Sequence, residues 1–208
     1  MDTINYLHNT LGIVHRDLKP ENMIIQINKQ GLPNIKVIDF GLSDYKPIKG
    51  QINSYLTDYV GTPSYAAPEI INKEPYDEEV DIWSLGVLLY NMLTGLEPFS
   101  GKYSSELNEQ IILKQIKFDI ITNESMRNLC KKFLERDADK RINALDALNE
   151  IRNIKSDLDK KIEFYERQEN NKNTNNSNNN NYVDDNFKKE YYYYKVFTES
   201  IQTSIPFY

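Results

Sequence analysis

Apolar positions outline this chain before any single residue does. Ile4, Leu7 and Leu11 recur at helical spacing and Gly12 follows as a stop signal, so a short helix is predicted almost from Met1. Met23–Ile27 and Ile35–Ile38 are two short apolar runs separated by the polar stretch Asn28–Asn34, the pattern of a strand pair joined by a turn. Residues 41–69 hold no sustained period and read as one long functional loop. Nine apolar residues, among them Val80, Ile82, Trp83, Val87 and Leu89, then crowd Glu79–Leu93. Their spread predicts a helix apolar on all sides, which belongs at the centre of a domain, with Gly86 its one weak point.

Weaker helical periods cover 104–117, 124–135 and 144–155, the last extending through charged residues to about 167. Composition then changes abruptly. Nine of the twelve residues Asn170–Asn181 are asparagine, a stretch with nothing to bury, and the aromatic end that follows includes Tyr191–Tyr194. The expected division is a folded domain over 1–153, a charged helical extension over 154–169 and a disordered Asn- and Tyr-rich tail over 170–208.

The 208 residues suffice for one domain with a substantial core. A net charge of −6 argues against a general nucleic-acid or membrane-surface binder. The single cysteine, Cys130, excludes an internal disulfide and is assigned to the core. The sequence shows neither a secretory pattern at its start nor a run of ~18–20 apolar residues long enough to span a membrane. Soluble, intracellular and cytoplasmic is the expectation.

Chemistry concentrates in five elements. His15-Arg-Asp-Leu-Lys-Pro-Glu-Asn22 stands between the first predicted helix and the first predicted strand. Asp39-Phe-Gly41 ends the second strand; alone the triplet is weak, but its distance behind Asp17 gives it weight. Gly61-Thr-Pro-Ser-Tyr-Ala-Ala-Pro-Glu69 closes the long loop, Asp81-Ile-Trp-Ser-Leu-Gly86 opens the central helix, and Asp139-Lys-Arg-Ile142 lies near the domain end. Singly, each has a bland reading as a polar turn, a strand cap or a surface charge. In this order and spacing they resemble the C-terminal lobe of a eukaryotic serine/threonine protein kinase. The implied fold is mainly α, with a short β-hairpin near the catalytic loop and the N-terminal lobe absent.

The resemblance implies a role for each residue, with ATP and Mg²⁺ as cofactors and proteins as substrates. Phosphoryl transfer depends mostly on positioning and on neutralising charge. Asp17 would accept the proton of the acceptor hydroxyl, Lys19 would meet the transferred phosphate, and Asn22 and Asp39 would hold Mg²⁺. Met23, Ile24 and Ile25 would floor the adenine pocket. Thr62 would hydrogen-bond Asp17 and Lys19, Glu69 would pair with a buried Arg141, Asp81 would anchor the catalytic loop, and His15 would pack under Phe40. His8 is assigned to the core or to solvent.

Asp39–Ser43, Tyr76–Val87 and Lys140–Asn149 look similar to the calcium-dependent kinase group. Asp58 stands where many kinases carry a phosphorylatable threonine, and a fixed carboxylate there would pair with Arg16; Ser54 and Thr57 are alternative phosphosites. Glu21 would favour basic residues upstream of the phosphoacceptor, although Asn91 replaces a second glutamate. No calcium-loop pattern is present.

The sequence before His15 holds no Gly-rich loop, strand lysine or partner glutamate. Without that clamp, this chain alone is expected to be weak or inert, with its apolar floor covered by a missing lobe or a partner. The readings carried forward are a serine/threonine kinase, a truncated pseudokinase acting as a protein-binding scaffold, and a small-molecule phosphotransferase. Gly61–Glu69, a peptide-docking pattern, disfavours the third.

Overall fold

The computed structural model describes residues 1–29, 33–47 and 55–174. Helix α1 (Asp2–Tyr6) continues as a π-helical turn through Leu11 and ends at Gly12, whose φ is 64°. Ile4 and Leu7 enter the core as the period predicts, but the wider π turn swings Leu11 outward, where it is 44% exposed. Strand β1 (Ile13–Val14) leads into the His15–Asn22 motif. Strands β2 (Met23–Ile27) and β3 (Pro33–Val37) form the expected antiparallel hairpin, with Ile25 opposite Ile35. Strand β4 (Asp44–Tyr45) returns to pair with β1, which pins residues 44–45 of the predicted loop to the start of the chain.

Helix α2 (Pro68–Ile71) is a single turn, begun by a proline where no N–H partner is needed. Helix α3 (Glu79–Thr94) follows. Its residues Val80, Ile82, Trp83, Val87 and Leu89 are buried, in keeping with the predicted central position. Trp83 stacks on Phe99 with ring centres 5.6 Å apart. Gly86 is a packing requirement rather than a weak point: a Cβ there would lie 2.9 Å from the side chains of Leu134 and Phe133. Burial is not all-round: Leu85, Leu88 and Leu93 are half-buried and Met92 is 53% exposed.

Helices α4 (Ser104–Leu113) and α5 (Glu124–Phe133) are shorter than their sequence periods suggest. Asn123 caps α5 by accepting the Met126 N–H at 3.0 Å, and its amphipathic face delivers Met126, Leu129, Cys130 and Phe133 to the core. Helix α6 (Ala144–Thr174) is longer than predicted and runs into the Asn-rich stretch. Its first turns pack against α1, where Arg152 meets Asp2 at 2.8 Å, so residues 150 positions apart in the chain close on one another. The predicted tail from residue 175 onward, and the alternative phosphosite Ser54, lie outside the described residues. Among the described residues, no helix is long and apolar enough to cross a membrane.

Candidate active site

Asp81, at the start of α3, is the fixed point of the site. It is completely buried, and its carboxylate accepts the N–H groups of His15 and Arg16, both at 2.8 Å. His8 Nε2 reaches the same carboxylate at 2.8 Å. Three bonds on one buried acid satisfy its charge and fix the loop. They also hold Arg16 at φ 67°, a left-handed conformation that costs about 1–3 kcal/mol in a side chain of this size. His8 was assigned only to core or solvent; its link to Asp81, 73 residues away, carries no local signal in the sequence.

The turn that follows presents Asp17. Its carboxylate accepts the Thr62 hydroxyl at 2.8 Å and the Thr62 N–H at 3.0 Å. Lys19 Nζ lies 2.8 Å from the other oxygen and donates to the Thr62 hydroxyl at 2.7 Å. The Asn22 amide donates to the Asp17 carbonyl at 2.8 Å and to its carboxylate at 3.0 Å. Burial works against ionisation, but the bonds from Lys19, Thr62 and Asn22 outweigh it and hold this carboxyl below the usual range. An ionised acceptor beside a lysine is the arrangement a general base needs.

Both Asn22 bonds use the amide nitrogen, which leaves its carbonyl oxygen for a cation. Asp39 ends the hairpin segment at φ 62°, its side chain exposed and accepting the Gly41 N–H at 3.1 Å. Two hard oxygen donors of this kind suit Mg²⁺. Phe40 packs edge-on against His15, ring centres 5.0 Å apart, and His15 also contacts the Ile38 carbonyl at 3.2 Å. Of the expected adenine floor, Met23 packs on the core, whereas Ile24 and Ile25 lie open to solvent.

The returning segment is clamped at both ends. Gly61 has φ 94°, and a Cβ there would lie 2.5 Å from the Arg16 carbonyl, so only glycine lets Thr62 approach Asp17. Glu69 and Arg141 form a buried two-pronged pair at 2.6 and 3.0 Å. The guanidinium also donates to the Glu79 and Glu135 carbonyls and lies over the Trp83 ring. Arg16 lies 3.4 Å from Asp44 and 3.6 Å from Asp58, and donates to the Leu42 carbonyl. Glu21 is exposed beside the site. The Tyr65 hydroxyl is pushed upward first by burial and then by the charges of Glu21 and Glu97. Sequence reasoning missed Tyr76, which touches Arg16 and Asp58, and Lys46, which pairs with Glu78. Each joins residues tens of positions apart; Tyr76 opens a stretch read only for its family likeness, and neither residue was given a role.

A family profile described as the protein kinase domain matches residues 1–151. Serine/threonine-protein kinase Sgk1 of Oryctolagus cuniculus is 41% identical over 150 residues, 72% of this chain and 33% of that protein. Sgk1-A of Xenopus laevis is 41% identical over 152 residues, with the same shares covered. Sgk1 of Homo sapiens is 40% identical over 150 residues, again 72% of this chain and 33% of the relative. The chain thus spans about a third of the length of the curated relatives it matches. The likeness is to Sgk1, which corrects the lean toward calcium-dependent kinases.

Proposed function

The chain belongs to the protein kinase domain family, and from that premise we propose that it carries the phosphotransfer and peptide-docking half of a serine/threonine protein kinase. The observation that carries the reading is the closed set of bonds among Asp17, Lys19, Asn22 and Thr62, on a loop anchored by Asp81. Asp17 orients the acceptor hydroxyl and takes its proton. Lys19 swings between Thr62 and the phosphate and neutralises its charge. The acceptor oxygen takes the γ-phosphoryl group of ATP as its bond to the β-phosphate oxygen breaks and ADP leaves; Asn22 and Asp39 would hold Mg²⁺, which would neutralise charge on the phosphates.

Glu21 and Glu97, whose charges both reach Tyr65, supply negative charge for substrates with Arg or Lys upstream of the acceptor. Asp58 and Asp44 neutralise Arg16, so the segment needs no phosphate to sit against it. Met23, Ile24 and Ile25 floor the ATP site, to be covered by an ATP-gripping lobe or a partner.

The test uses the endogenous protein, captured through its Asp184–Phe207 segment, and serine peptides with ATP and Mg²⁺. Transfer to serine is expected, falling about 10²–10⁴-fold in Asp17→Asn and in Asp39→Asn. No transfer by the wild type, or an Asp17→Asn protein of full activity, sinks the enzyme reading and leaves the scaffold.

A further inference from the structure

Tyr76 lies outside every motif the proposed activity uses, yet three segments meet on it. Its N–H donates to the Leu56 carbonyl at 2.9 Å and its own carbonyl accepts the Leu56 N–H at 3.2 Å, an isolated two-bond bridge. Its ring is 4% exposed. Its hydroxyl accepts from Arg16 Nη1 at 3.3 Å and donates to the Asp58 carbonyl at 2.9 Å. We propose that Tyr76 is a positioning residue, a buried phenol that latches residues 56–58 to the catalytic-loop arginine through the backbone, whatever side chain stands at position 58.

The latch does not depend on the charge of Asp58. That carboxylate is 67% exposed and 3.6 Å from Arg16, where water and salt screen the attraction. The Tyr76 hydroxyl works in a buried setting, and its loss would leave Arg16 and a carbonyl each short of a partner. Burial outweighs the opposing influence of Arg16 and raises the phenol above its ordinary value, so it stays a donor at any working pH. The grip passes directly to the catalytic base. The Asp58 carbonyl also accepts the Val60 N–H at 3.1 Å, Gly61 packs on Arg16, and Thr62 binds Asp17.

The consequence for activity rests on the kinase reading; the latch itself does not. Amide hydrogen exchange is therefore measured on the full 208-residue chain as wild type, Tyr76→Phe and Asp58→Ala. Phenylalanine keeps the buried ring and removes only the hydroxyl. Exchange at Leu56 and Val60 is expected to quicken about five- to tenfold in Tyr76→Phe, the worth of one hydrogen bond. It should quicken less in Asp58→Ala, and α3 and α5 should be unchanged in both. Unaltered rates at Leu56 and Val60, an equal or larger effect of Asp58→Ala, or a uniform rise across α3 and α5 would overturn the latch. In the endogenous protein, Tyr76→Phe should raise the KM for a serine peptide about fivefold and leave the KM for ATP alone. An active enzyme with an unmoved peptide KM counts against the proposal. A wild type without transfer defeats the kinase reading, and the exchange result still decides the latch.

Discussion

Arg141 puts more interactions into one side chain than any other residue of the site. It neutralises Glu69, satisfies two carbonyls and covers Trp83, all away from water. Removing it leaves the Glu69 carboxylate buried with its charge unmet, which costs about 3–5 kcal/mol, against a few tenths for an exposed pair such as Lys160–Asp157. Arg141→Ala is expected to unfold at much lower urea, and Lys160→Ala at an unchanged midpoint; equal midpoints would show that the pair adds nothing. The residues of this pair were legible because both sit in motifs of fixed spacing. Tyr76, Lys46 and the His8–Asp81 bond were not. Their identities are ordinary, and only the folded path brings them to their partners.

Among the elements, the sequence reports best on helices that bury a full face and least on turns and ends. The period of α3 located it to within a residue, whereas the π turn after α1 follows no 3.6-residue repeat and turned Leu11 to solvent. The extent of α6 was missed as well, because its outer half is rich in charged residues and asparagine, which carry little apolar period. Gly86→Ala tests the packing of α3 on α5. Alanine gains about 1 kcal/mol of helix propensity, but its methyl group must displace Leu134 and Phe133, at about 1–3 kcal/mol. A net loss of about 1 kcal/mol is expected in urea unfolding, and a gain would mean α5 simply moves aside.

The start of α3 also predicts a pH dependence. Burial, then the adjacent Glu78, pushes the Asp77 carboxyl up from 3.8 to about 7. A raised carboxyl favours the protonated fold, so the contribution of Asp77 to stability is full below about pH 4 and is lost as pH climbs through 7. Asp77→Asn, which keeps the oxygen that accepts the Glu78 N–H at 2.7 Å, should raise the melting temperature at pH 8 and change it little at pH 4. Equal shifts at the two pH values would refute this.

For the molecule as a whole, β2 presents an open apolar face. Ile25 and Ile27, two positions apart and so on one side of the strand, are 64% and 65% exposed, while the interior is closed around α3. A face of that kind binds hydrophobic dyes and promotes self-association. The double variant Ile25→Ser, Ile27→Ser should lower dye fluorescence and shift the chain toward monomer in sedimentation; no change would place the sticky surface elsewhere.

The closure of α1 against α6 sets a timetable for synthesis. Asp2 leaves the ribosome about 150 residues before Arg152, and at ~5–20 residues per second that interval lasts roughly 8–30 s. During it the apolar side of α1 has no mate, and nascent-chain chaperones have their longest opportunity to hold it.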